Sequence, residues 1–159
     1  MPGRHSRTSE DTNLSELSLH QANAIIEAVL QSARKQGMPP LAVAVLDTGA
    51  HLKALQREDG VSFLRVDIAQ AKARGALAMA CDSAQLAERY LQNAQQQGFI
   101  DALNAMTGGR IIPLPGGVLV RSDKDEILAA VGAAGGPSEQ DEACVRSAIR
   151  QVGFNCQAG

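Results

Sequence analysis

LAVAVLDTGAHLKALQRED, residues 41–59, is the stretch whose reading decides the fold. Two apolar-rich runs, Leu41–Leu46 and Leu52–Leu55, flank the tight sequence Asp47-Thr48-Gly49-Ala50. An apolar run, an Asp/Gly turn and a second apolar run make a β-hairpin. The first run is apolar on both faces, so it belongs inside a sheet covered on both sides. The second alternates and turns Lys53 and His51 toward solvent.

On the N-terminal side of the hairpin, Ser18-Leu19-His20-Gln21 has the form of a capping box. Ala22, Ile25, Ile26, Val29, Leu30 and Ala33 follow at helical spacing. Gly37 and Pro39-Pro40 end that helix. On the C-terminal side, a second helix is predicted over Ser62–Ala80 with a face of Ala69, Ala73, Ala76 and Ala80. Asp82 or Ser83 caps a third, with Leu86, Tyr90, Leu91 and Ala94 inward and Gly98 as its end; Phe99–Met106 adds further helical turns. Gly108-Gly109 opens a run of short strands at Arg110–Ile112, Val118–Arg121 and Ile127–Ala134. Ser138 then caps a last helix whose stripe is Val145, Ala148, Ile149 and Val152. The hairpins require antiparallel pairing, and apolar strands require cover on both faces. The expectation is an α+β, three-layer domain with a sheet of about five strands and helices on both faces.

The chain has 159 residues, 45% of them apolar and only 3% aromatic, so its core is built from Ala, Leu, Val and Ile. One domain over residues 17–153 is expected, with a disordered tail at 1–16 and a short tail at 154–159. A net charge of −2, with no basic run or aromatic platform, argues against nucleic acid as a partner. No stretch is apolar enough to cross a membrane. The polar Met1–Asn13 lacks the centre of a signal peptide, which implies a cytoplasmic protein. Cys81, Cys144 and Cys156 are widely spaced and form no C-x-x-C, so no zinc site or disulfide framework is indicated.

Several residues in this order carry a likeness to a known family. They are Val43-Ala44-Val45-Leu46-Asp47 with Gly49, Arg57 with Asp59-Gly60, and Ala69 with Lys72-Ala73 and Ala76. Gly108-Gly109, Pro113, Gly116-Gly117, Gly132, Gly135 and Asp141-Glu142 follow. The pattern, from about Leu17 to Val152, resembles the GlcG/HbpS-like family, which also occurs as the C-terminal domain of PduO-type cobalamin adenosyltransferases. The resemblance implies a profilin-like fold and a homo-oligomer with clefts between subunits. Some members bind haem, one extracellular member is linked to redox sensing and haem degradation, and others lie in catabolic operons. The resemblance assigns no axial ligand to a position of this chain.

Lys72 is the most informative polar residue, because it lies three residues after Ala69 and four before Ala76 on an apolar stripe. Such a lysine requires a carboxylate or a pocket opening. It is either a pocket cation for a substrate carboxylate or haem propionate, or a structural partner of Asp47, Asp59 or Asp141, or a snorkelling side chain. Arg57 either clamps a carboxylate in bidentate fashion or pins its loop with Asp59. Gly135, leaving a strand, and Gly116-Gly117, at a bend, either let an anionic ligand approach the backbone or are turns. Their spacing fits neither the dinucleotide fingerprint nor a P-loop. Asp141 is a helix-start residue, a general base or the partner of Lys72. Of His5, His20 and His51, the last is the candidate axial ligand or proton shuttle. Met79 and Met106 are candidate ligands or core residues. No two histidines have metal-ligand spacing. The leading expectation is an oligomeric protein binding an anionic small molecule, with haem first. A small catabolic enzyme using Lys72 and Asp141 on an organic acid is the alternative, and a ligand-free assembly subunit the third.

Overall fold

Val43 and Val45 turn to one side of the hairpin's first strand and Ala42, Ala44 and Leu46 to the other, and all five are fully buried. This strand, β1 (Ala42–Leu46), therefore lies inside the sheet, as its unbroken apolar run requires. It pairs antiparallel with β2 (Leu52–Arg57) on one side and with β4 (Ile127–Ala134) on the other. The next strand, β3 (Gly117–Arg121), lies on the far side of β4. The order is β2-β1-β4-β3. The computed structural model that shows this describes residues 16–157. The expected disordered N-terminal tail, with His5, lies almost wholly outside the described residues.

The sheet has four strands, which corrects the expectation of about five. Arg110–Ile112 is not a strand. Its Ile111 N–H is taken by the Asn104 side chain at 3.1 Å, and Pro113 and Pro115 supply no donors to a ladder. The β1–β2 turn is held by Asp47, whose Oδ1 accepts from the N–H groups of Gly49 and His51.

One face of the sheet carries Val43, Val45, Val118, Val120, Ala129, Val131 and Ala133 against two helices. These are α1 (Leu19–Lys35) and α5 (Ser138–Val152). Ser18 caps α1 with the complete capping box read from the sequence. On the other face lies α2 (Phe63–Met79). Its Ala69, Ala73 and Ala76 are fully buried, but Ala80 is exposed and ends the helix at φ +50°. The helix sits close because glycine lies beneath it: a Cβ on Gly132 would stand 1.9 Å from the Ala69 carbonyl oxygen.

The third predicted helix is two helices, α3 (Ser83–Tyr90) and α4 (Ala94–Met106). The break falls at 91–93 rather than at Gly98, because the Asn93 side chain accepts from the Gln96 N–H and starts a new helix. Leu91 and Ala94, expected inward, are exposed, and Gly98 lies inside α4. Asp82 precedes α3 without capping it. Pro137, not Ser138, is the N-cap of α5. The chain past Val152 returns to the sheet, where Asn155 and Arg121 exchange backbone hydrogen bonds of 2.8 and 3.0 Å. Among the described residues, no helix is long and apolar enough to cross a membrane.

Candidate functional site

Lys72 is the largest fully enclosed side chain among the described residues, at 1% exposure. Its position on the alanine face of α2 points it at the sheet, and Gly116 and Gly117 leave it room. A Cβ on Gly116 would lie 2.9 Å from the ammonium nitrogen, and one on Gly117 would lie 2.2 Å from the Lys72 carbonyl oxygen. The ammonium donates to the Ala133 carbonyl at 2.9 Å and to Asp141 Oδ2 at 3.3 Å. Asp141 Oδ1 accepts from the Gly136 N–H at 3.1 Å. Of the three carboxylates that the sequence offered Lys72, the fold thus supplies Asp141. Burial holds the Lys72 pKa below its ordinary value of 10.5, against the attraction of Asp141. Burial likewise raises the Asp141 pKa above 3.8, against the pull of Lys72 and the Gly136 N–H.

Lys72, Asp141, Gly116 and Gly117 meet at one buried junction of α2, β3, β4 and the start of α5. Gly135 lies at the end of β4, at φ +144°, where a Cβ would meet the Pro40 carbonyl oxygen at 2.2 Å. The two remaining predicted residues are elsewhere. His51 and Arg57 flank and end the edge strand β2, which β1 separates from β4. The His51 side chain is 82% exposed, with Nδ1 3.4 Å from Asp47 Oδ1. The His51 N–H, burial working the other way, and the Gly49 N–H act on the Asp47 carboxyl, and the net effect holds it below its ordinary value. Arg57 is exposed.

Two features escaped the sequence reading. The first is Arg74, which donates to the Ala50 carbonyl at 3.2 Å and so braces the turn that carries His51. It lies two residues from Lys72, away from the buried alanine face of α2. The second is a groove of about 960 Å³ between α3, the 112–115 segment and α5. Buried Arg146 lies in its wall and bonds to Asp82 at 2.8 Å and Glu142 at 2.5 Å. Burial works against that charge, but Glu142 and Asp82 outweigh it and raise the Arg146 pKa above its ordinary value. Asp82 is also occupied by the Leu119 N–H at 2.9 Å, which is why it caps no helix. Only the i,i+4 spacing of Glu142 and Arg146 was visible in sequence.

The donor sets test where a haem fits. The large groove is lined by Asp82, Glu88, Glu139 and Glu142 against one arginine, and has no histidine, cysteine or methionine. Four carboxylates against one arginine suit propionates poorly, and Tyr90 is the one side chain of a haem-ligating type in its wall. The hairpin side offers an imidazole whose Nδ1 faces a carboxylate, which leaves Nε2 outward in the manner of a metal-binding histidine. Arg74 bonds to the Ala50 carbonyl beside that imidazole, and Arg57 ends the strand that the imidazole precedes.

A family model described as "Haem degrading protein HbpS-like" matches residues 17–150. The chain belongs to the HbpS-like family. Solved structures agree with its fold. HbpS itself is 26% identical, with a TM-score of 0.72 over 94% of this chain and 99% of that one. PduOC, in a crystal structure of its haem complex, is 22% identical, with a TM-score of 0.78 over 90% of this chain and 99% of that one. Klebsiella pneumoniae protein ORFY is 23% identical, with a TM-score of 0.78 over 92% and 97%. No curated protein matches the chain in sequence. The HbpS-like core thus spans nearly all of the described residues.

Proposed function

We propose that this HbpS-like protein binds haem, with His51 Nε2 as the axial ligand and Arg57 and Arg74 as cations for the propionates. The observation that carries the reading is the exposed imidazole set against Asp47, in a chain of a family described by haem degradation. The PduOC haem complex, which shares this fold, supports it. Bound haem would supply the redox and ligand chemistry of its iron; the protein's part is to fix the imidazole and meet the two carboxylates. A second copy of the chain completes the site around the exposed imidazole. Exposed Phe63, Leu64 and Leu52 supply apolar surface for such an assembly. The three free cysteines suit a reducing compartment such as the cytoplasm.

Lys72, Asp141, Gly116, Gly117 and Gly135 form the frame behind the site in this reading. An acid–base enzyme built on Lys72 and Asp141 is disfavoured, because both groups are buried and neither lines the large groove beside α3 and α5. Haemin titration followed through the Soret band tests the proposal. Wild type is expected to give a saturable, shifted band, and His51→Ala to lose it while keeping its far-UV circular dichroism. An unshifted band in wild type overturns haem binding; an unchanged band in His51→Ala overturns the ligand assignment.

A further inference from the structure

On the outer side of α2, Asp67, Gln70, Ala71 and Arg74 follow one another at i, i+3, i+4 and i+7 and form one wall of a cavity of about 360 Å³. The opposite wall is Gly109 and Arg110. Gly108 and Gly109 stand at φ +76° and +75°, in succession, and a Cβ on either would meet nothing within 4 Å. The left-handed backbone, not lack of space, is therefore what calls for glycine here. That double turn brings Arg110 across to Arg74.

The fold thus gathers two guanidinium groups around one cavity. Among the described residues, neither has a carboxylate within 4.0 Å, although Asp67 is part of the lining. Two arginines and one aspartate leave a net charge of +1. One Arg74 nitrogen is committed to the Ala50 carbonyl, which fixes the direction of the group and leaves its other donors for a guest. The Gln70 amide adds a neutral donor.

We propose that this cavity is a binding site for a small anion bearing a carboxylate or phosphate group. The guest lies between Arg74 and Arg110 and accepts paired hydrogen bonds from both forks. At roughly 30 Å³ for each non-hydrogen atom the cavity has room for about a dozen, so a short dicarboxylate or a small phosphate ester fits and a haem does not. Arg74 is shared with the proposed propionate contacts, so the site is tested on haem-free protein and through Arg110, which the haem reading does not use.

Calorimetric titration at pH 7 and constant ionic strength, with inorganic phosphate and with succinate as separate probes, decides it. At least one probe is expected to bind saturably. The one that binds identifies the phosphate or the carboxylate source of the recognised group. Arg110→Gln should weaken that binding by about tenfold or more, since each charge-assisted bond carries about that much. Asp67→Asn should strengthen it. Lys35→Gln, the same change of net charge at the end of α1 on the other face of the sheet, should leave it unchanged. Absence of saturable binding by either probe overturns the proposal. So does an equal loss in Arg110→Gln and Lys35→Gln, which would make the effect one of overall charge.

Discussion

Lys72 carries the sharpest residue-scale consequence. Its ammonium and the Asp141 carboxylate are buried together, and each loses the favourable hydration of its charge. Removing one partner strands the other. Asp141→Asn is expected to destabilise the protein by about 3–5 kcal/mol in urea denaturation, while the double change Lys72→Met with Asp141→Leu recovers most of that loss. If the double variant is as unstable as the single one, the pair is not what the site depends on. The lysine itself was legible, because three- and four-residue spacing placed a charge on an alanine stripe. Its partner was among the candidates named, Asp141 with Asp47 and Asp59, but spacing could not choose between them across 69 residues.

Elements meet here through missing side chains. Gly132 and Gly117 lie under the α2 backbone, so the helix rests on the sheet through its main chain as well as its alanines. Gly132→Ala has to lift α2 and should cost about 3 kcal/mol or more, a fall in melting temperature of roughly 6–12 °C. Gly98 is the counter-example. It lies inside α4 with nothing within 4 Å of a Cβ, so Gly98→Ala should instead raise the melting temperature by a few degrees, by about 1 kcal/mol of helix propensity. Differential scanning calorimetry of both variants reads these opposite signs. The sheet's two edges also differ. Ser83, Asp82 and Asn155 accept from the N–H groups of Gly117, Leu119 and Arg121, and so occupy the edge of β3. The Asp82 that the sequence offered as a helix cap is used for this instead. Local helix-start signals cannot reveal that a strand formed 37 residues later will claim the carboxylate.

For the whole molecule, the proposed assembly is the property to measure. Phe63 is 74% exposed and Leu64 53%, side by side at the start of α2. Light scattering is expected to give a mass several times that of one chain, and the combined Phe63→Ser, Leu64→Ser variant a mass near one chain. A wild-type protein of single-chain mass would overturn the proposed second copy at the haem site. The sequence by itself determined the hairpin with its antiparallel pairing, the first, second and last helices, and the family. Each of these is written in local periodicity, turn residues and caps, which act over a few residues. Only the tertiary structure decided that Asp141 holds Lys72, that Arg146 draws Asp82 and Glu142 together, and that Arg74 and Arg110 share one cavity. Those meetings depend on how helices lie across a folded sheet, and spacing along the chain does not encode distances between elements.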